Sequence, residues 1–225
     1  MILLFSGGID SYIAYHYLGK PPTLYFNLNT RYSIKEMRVV KRLIPDTIIE
    51  KCIDFKDKED PITAFIPYRN LHLALLANQY SDTIVIAGVK DDRVNDKNEV
   101  VFQKFSKLMS DMTNKKIMVM SPFWGSTKEQ IVGWYLKNGG IKEALLSTIS
   151  CYSSEDILFC GKCPACFRKW CALKANGIDD LIFTNDKLMW NYYDKAVEGS
   201  YYDPDRNRNI IEQVLKIHPN WEGLW

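Results

Sequence analysis

The chain is predicted to be an α/β protein: a Rossmann-like parallel sheet with helices on both faces, plus a small four-cysteine segment built to hold a metal. Three observations predict this. Over roughly the first 150 residues, short apolar runs alternate with longer amphipathic ones. The first run ends in Ser6-Gly7-Gly8-Ile9-Asp10-Ser11, which is no hairpin turn. Five of the six cysteines fall from Cys151 to Cys171, and Cys52 stands alone.

The elements follow in order. Residues 2–5 are a strand, and 10–18 a helix ended by Gly19 and Pro21-Pro22. Residues 23–28 are a second strand. Residues 34–43 are a helix with a basic outer face, stopped by Pro45, and 47–52 are a third strand. Pro67 marks a first helical position ahead of a helix over 69–79. Residues 83–87 form a fourth strand closed by Gly88; a polar loop, a helix near 100–112 and a fifth strand at 116–120 follow. A helix over 127–136 precedes Gly139-Gly140. Strands spaced by helices imply right-handed βαβ units. Ligands then bind beyond the carboxyl ends of the strands, so the loops after strands one, two and four are where a site is expected.

From Cys151 the pattern changes. A helix over 164–176 ends at Gly177, and the remaining tail is rich in aromatics, including Trp190, Tyr192, Tyr193, Tyr201, Tyr202, Trp221 and Trp225. The expected division is residues 1–145 as a nucleotide-binding domain, 146–177 as the metal segment with its helix, and 178–225 as an extension packed on the main domain.

At 225 residues, 47% hydrophobic and 25% charged, the chain has an ordinary globular composition. A net charge of +2 with no basic tract weighs against nucleic acid as a direct substrate and against general attraction to membranes. No apolar run approaches the ~20 residues of a membrane span. Met1 leads straight into the first strand with no signal peptide, and clustered cysteines suit metal binding; the expected location is cytoplasmic. A homodimer is left open.

The glycines after the first strand permit positive φ and a close approach of backbone N–H groups to an anion. The helix N-terminus reinforces that cradle, and Ser6 and Ser11 add hydroxyls. Asp10 would repel a bare phosphate; it makes sense beside a bridging Mg²⁺ ion or as a helix cap. No Gly-Lys-Ser/Thr ending is present, so this is not a Walker loop. In the second motif, Cys160, Cys163 and Cys166 offer three thiolates on a tight turn eased by Gly161, and Cys151 can supply a fourth. Four thiolates suit a closed, structural Zn²⁺ site. An iron–sulfur cluster accepts the same set. Cys171 and Cys52 are expected to be small core residues.

The string Ser-Gly-Gly-x-Asp-Ser after a first strand resembles the PP-loop of the ATP pyrophosphatase superfamily, whose fold is of the adenine nucleotide alpha hydrolase type. That resemblance implies ATP binding by Ser6, Gly7, Gly8, Asp10 and Ser11, and activation of a substrate oxygen for displacement by nitrogen or sulfur. With the cysteines, the chain resembles the 7-cyano-7-deazaguanine synthases from Ile2 to Gly177. Pro67-Tyr68-Arg69-Asn70-Leu71 is similar to the family's Pro-Gly-Arg-Asn-Leu. Ser126-Thr127-Lys128-Glu129-Gln130-Ile131-Val132 looks like its Thr-Lys-x-Glu-Ile-Val helix start. Ser150-Cys151-Tyr152 and Cys160-Gly161-Lys162-Cys163-Pro164-Ala165-Cys166 look like its zinc motif, and Arg31 matches an arginine after the second strand.

The resemblance implies a ligase that uses ATP and Mg²⁺ to activate 7-carboxy-7-deazaguanine. Ammonia then gives an amide, and a second activation gives the nitrile. Asp10, Arg69 and Lys128 are its candidate catalytic residues. Phe26, Leu28, Arg31 and Gly88 join the ATP site, and Arg69, Asn70, Asp91 and Asp92 meet the substrate. Each has a plain alternative: Phe26 and Leu28 as core, Arg69 paired with a surface acid, Asn70 as a helix cap, Lys128 as a solvated first-turn lysine, His72 as an ordinary helix residue. The loop from Gly88 to Asp96 lacks the family's aromatic and proline run, Tyr68 replaces a common glycine, and the usual arginine after the last cysteine is Lys169 or has shifted to Arg168. Those departures keep open a different carboxylate or amine, a PP-loop tRNA-modifying enzyme, or a zinc-ribbon interaction module.

Overall fold

The computed structural model describes residues 1–60, 64–90, 92, 94–153 and 155–219. Its centre is a five-stranded, all-parallel sheet built from β1 (Ile2–Leu4), β2 (Thr23–Phe26), β3 (Ile48–Glu50), β4 (Thr83–Ile86) and β5 (Met118–Met120), in the order β3-β2-β1-β4-β5. The chain steps outward from β1 to β3, then returns to the other side of β1. Strand order therefore reverses between β1 and β4, whose register pairs Leu3 with Val85. Crevices open at such reversals.

Side-chain alternation along the strands explains helices on both faces. Leu3, Phe5, Tyr25 and Val85 point to one core, shared with α1 (Ile9–Tyr17), α2 (Ser33–Leu43), α5 (Lys128–Lys137) and α6 (Lys142–Leu146). Ile2, Leu4, Leu24, Phe26, Ile84 and Ile86 point to the other, against α3 (Arg69–Ala77) and α4 (Glu99–Thr113). The α/β class, with a parallel sheet and helices on both faces, agrees with the sequence.

Local chemistry sets the helix starts. Thr127 and Gln130 form a reciprocal capping box at the head of α5. Asn98 caps α4. Pro67, expected at a first helical position, instead lies outside α3, which begins at Arg69 after Tyr68 in the left-handed region at φ 57°. A non-glycine residue there is uncommon. Asp96 supplies what Tyr68 does not: its carboxylate accepts from the Asn70 backbone N–H at 3.1 Å and from Asn70 Nδ2 at 2.8 Å. Cys52 is exposed rather than core, because β3 ends at Glu50. The small helix α6 falls where the sequence suggested only the glycine pair.

The extension forms two helices, α8 (Asp186–Glu198) and α9 (Pro204–Leu215), joined through Gly199 at φ 74°. They close a third core over α7 (Pro164–Lys174), where Cys166, Phe167, Trp170 and Cys171 meet Phe183, Met189, Tyr202, Ile210 and Val214. Cys171 is a core residue, as expected. Phe167, fully buried, stacks on Tyr192 with centroids 4.5 Å apart and meets Phe183 edge-on at 5.1 Å. Trp221 and Trp225 lie outside the described residues. Phe167→Ala is expected to cost about 3–5 kcal/mol, read as a lowered urea midpoint with an unchanged m-value.

Candidate active site and metal centre

A cleft of about 240 Å³ opens at the carboxyl ends of β1, β2 and β4, where the strand order reverses. Its floor begins with the loop after β1. Gly7 sits at φ +71°, and a Cβ there would come within 2.9 Å of Val39 Cγ1, so this position needs glycine. The Gly7 carbonyl accepts from Ile149 N–H at 2.8 Å. Gly8 begins α1 without a side-chain cap, which leaves the first-turn N–H groups without a side-chain acceptor. Gly8, Ile9, Asp10 and Ser11 all line the cleft, so the loop can serve as an anion cradle. Ser11 Oγ donates to the Gly8 carbonyl at 3.0 Å and lies 3.4 Å from Ser6 Oγ.

Asp10 is not a helix cap. It lies in the first turn of α1, and its carboxylate accepts from Lys128 Nζ, the first residue of α5. Lys128 is thus not the solvated first-turn lysine that was its plain alternative; its side chain is 15% exposed. Arg69, Asn70, Phe26, Leu28 and Asp92 also line the cleft. Phe26 belongs to the core at the same time. Arg31 and Gly88 do not line it. Arg31 pairs with Glu59, Nε to Oε1 at 3.0 Å, and Gly88 packs so tightly that a Cβ would meet the Trp124 ring at 2.4 Å. Asp91 lies outside the described residues.

The cleft holds residues that sequence reasoning passed over. Lys97 Nζ lies 2.9 Å from Asp92, and Arg168 NH1 lies 3.8 Å from the same carboxylate. Burial alone would raise Asp92, but Lys97, Lys128 and Arg168 outweigh it and hold the carboxyl well below the usual range. Lys97 carried no signal in a polar loop. Arg168 and Lys169 had one, since both stood at the position of the family's arginine. Both line the cleft. Arg168 faces Asp92, while Lys169, buried at 1% exposure, donates from Nζ to the Thr148 carbonyl at 2.7 Å, and burial pushes its ammonium down to about 7.

The basic face of α2, expected outermost, holds the chain leading into and through the cysteine segment. Lys35 is buried, and its Nζ donates to the carbonyls of Ser153, Glu155 (3.2 Å) and Ile157 (3.3 Å). Arg38 pairs with Asp156, and Arg42 donates to the Ser147 carbonyl at 2.7 Å. The same helix presents Glu36 to the cleft.

Cys151, Cys160, Cys163 and Cys166 bring their four sulfurs within 4.8 Å of one another, a cluster that could hold a metal ion. Gly161 makes the turn at φ +70°, where a Cβ would come within 2.8 Å of the Ile182 carbonyl oxygen. Cys163 Sγ caps α7 by accepting from Cys166 N–H at 3.4 Å. Hydrogen bonds from Cys151 and Cys166 push the Cys163 thiol well below its ordinary value, while the same contacts push the Cys151 and Cys166 thiols above theirs.

Burial raises the Glu36 carboxyl from its ordinary 4.5 to about 7, with Arg69 opposing the shift. The folded state therefore holds this proton more tightly than the unfolded chain. That contribution to stability is fully present below about pH 4.5 and is lost as pH rises through 7. Glu36→Gln removes the titration. The variant is expected to gain stability over the wild type between pH 5 and pH 8, on the order of 2 kcal/mol, as a difference in urea midpoints at the two pH values.

No helix among the described residues is long and apolar enough to cross a membrane. A family model described as "Queuosine biosynthesis protein QueC" matches residues 22–177. Among curated proteins, the chain is 28% identical over 157 residues to a 7-cyano-7-deazaguanine synthase of Methanocaldococcus jannaschii, covering 65% of this chain and 68% of that one. It is 36% identical over 135 residues to that of Rickettsia prowazekii, covering 54% and 58%. With 7-cyano-7-deazaguanine synthase 2 of Sulfurisphaera tokodaii it shares 29% identity over 218 residues, covering 80% of this chain but 46% of the relative. With a family model matched over more than half its length, and with the cysteine cluster inside that match, the chain belongs to the QueC family.

Proposed function

We propose that this chain is an ATP-dependent carbon–nitrogen ligase that converts 7-carboxy-7-deazaguanine and ammonia into 7-cyano-7-deazaguanine. The observation that carries the proposal is a single cleft in which the Ser6–Ser11 loop, the Lys128–Asp10 pair, Arg69 and Arg168 share one space. A carboxylate is a poor electrophile. Its oxygen attacks a phosphorus of ATP and displaces ADP or pyrophosphate from it, and the resulting phosphorylated or adenylylated ester carries a leaving group. Ammonia adds to the acyl carbon and, after losing a proton, expels the phosphate or nucleotide, leaving the amide. The amide oxygen then attacks a phosphorus of a second ATP, again displacing ADP or pyrophosphate. Loss of that esterified oxygen with two N–H protons gives the nitrile.

The chain's own residues bind and neutralise. The loop N–H groups cradle phosphate oxygens, while Lys128, Lys97 and Arg168 face charge that develops on the transferred group. Phe26 and Leu28 offer an apolar seat for adenine. Asp10 suits Mg²⁺, for its carboxylate already sits against a cation; Asp92 is a second candidate ligand. Bound there, the ion would supply charge neutralisation of the phosphates. The location in the cytoplasm is proposed with this reaction, which draws on a nucleotide and a small-molecule acid.

The cysteine cluster is proposed to hold zinc. Four thiolates at ~2.3 Å from one tetrahedral ion stand about 3.8 Å apart, and Cys160 and Cys166 Sγ are separated by 3.8 Å. Sulfurs on different irons of a cluster need wider spacing than the 4.8 Å limit here. Closed by four thiolates, such an ion is structural.

Mass spectrometry after incubation with ATP, Mg²⁺, ammonia and 7-carboxy-7-deazaguanine is expected to find the amide and then the nitrile. ATP binding with that acid left untouched would sink the proposal and point to another carboxylate. Lys128→Met is expected to lower kcat by about 100- to 1,000-fold with the zinc retained. Cys160→Ser should instead lose zinc, measured by elemental mass spectrometry, and melt at lower temperature.

A further inference from the structure

The cleft has two electrostatic ends. Asp10 is paired with Lys128, and Asp92 with Lys97 and Arg168. Glu36, projecting from α2, is not. Among the described residues its hydrogen-bond partner is the Tyr25 hydroxyl, 3.2 Å from Oε2, and no lysine or arginine lies within ion-pair distance of it. Tyr25 itself is fixed, being buried, with the Ser33 carbonyl 3.3 Å from its hydroxyl. Arg69 stands between the two ends, acting electrostatically on both Glu36 and Lys97. A partly buried carboxylate in a binding cleft, with one oxygen open, calls for N–H donors from whatever the cleft holds.

We propose that Glu36 is the specificity residue for the purine: its carboxylate accepts the two neighbouring donors, N1–H and the 2-amino group, on the edge of a 7-deazaguanine. This rests on the reaction proposed above. Adenine is the wrong partner, because its N1 is an acceptor and would face a carboxylate oxygen. The ring needs an apolar or aromatic face as well. Tyr32 is buried beside Glu36, and Tyr152, with its ring centroid 5.7 Å from that of Tyr32, is exposed at 36%. Both line the cleft. They come from α2's start and from the residue after Cys151, so this end of the cleft needs no aromatic residues from the loop after β4.

The test compares 7-carboxy-7-deazaguanine with its analogue lacking the 2-amino group, by calorimetric binding to the wild type and to Glu36→Gln. The wild type is expected to bind the analogue about 10- to 100-fold more weakly, the value of a charge-assisted hydrogen bond. Glu36→Gln should weaken the parent acid by a similar factor, bring the two acids to within about threefold, and leave ATP affinity unchanged. Equal wild-type affinity for the two acids would overturn the assignment without recourse to any variant. So would a uniform loss for both acids and ATP in Glu36→Gln, which would make Glu36 a structural residue. If the wild type converts the parent acid yet does not discriminate, this proposal alone fails; if it neither binds nor converts that acid, the proposed reaction fails and takes this proposal with it.

Discussion

One backbone hydrogen bond joins the two motifs of this protein: Ile149 N–H to the Gly7 carbonyl, at 2.8 Å. It fastens the loop after β1 to the chain two residues before Cys151. Val39 stands where a side chain at Gly7 would have to go. Lys35 holds the carbonyls of Ser153, Glu155 and Ile157 from α2. The cysteine cluster, the loop after β1 and α2 are therefore tied to one another. An ion held by the four cysteines would fix where α7 begins and so where Arg168 stands over the cleft. A structural metal remote from bond-making can in this way govern the geometry of bond-making residues.

The acids Asp10 and Asp92 in the cleft are both paired with bases. Lys128 lies on Asp10, and Lys97 and Arg168 lie on Asp92. Each pair lowers the cost of burying its members, which unpaired charges would pay in full. Under the proposed reaction, a polyphosphate with a divalent cation exchanges into this arrangement: the phosphates take the lysines, and the metal takes the carboxylates. The side chains of the cleft thus carry the charges with which such a ligand pairs. Preorganised dipoles and charges of this kind need not reorient as the transition state forms.

Much of this was legible in the chain. The sheet was, because β1 and β4 carry unbroken apolar runs and glycine closes their ends. The cysteine cluster was, because Cys160, Cys163 and Cys166 repeat at a spacing that a single tight turn brings together. What stayed hidden was contact at long sequence separation. Lys97 sits in a polar loop, and only the fold sets it against Asp92. Glu36 and Lys35 are adjacent polar residues on an amphipathic helix, where charge usually means solvent. They turn inward because strands and carbonyls far along the chain await them. Gly88 looked like a ligand-approach glycine, but Trp124, far along the chain, is what occupies the space a side chain would need.

Contacts from the extension reach the elements that carry the cleft. Tyr68 occupies a left-handed position that favours glycine, and Asp96 from the loop after β4 caps α3 in compensation. That loop is in turn held from outside: Lys90 pairs with Asp203 at 2.8 Å and Asp205 at 3.6 Å, both at the head of α9. Further in, α8 and α9 bury Phe167, the neighbour of Arg168. The extension therefore braces two cleft contributors at once, the loop carrying Asp92 and the helix carrying Arg168. Under the proposed reaction, the loop after β4 and the helices of the extension therefore act on the cleft as one unit: what holds α9 in place also holds Lys90 and, through Phe167, the helix that carries Arg168.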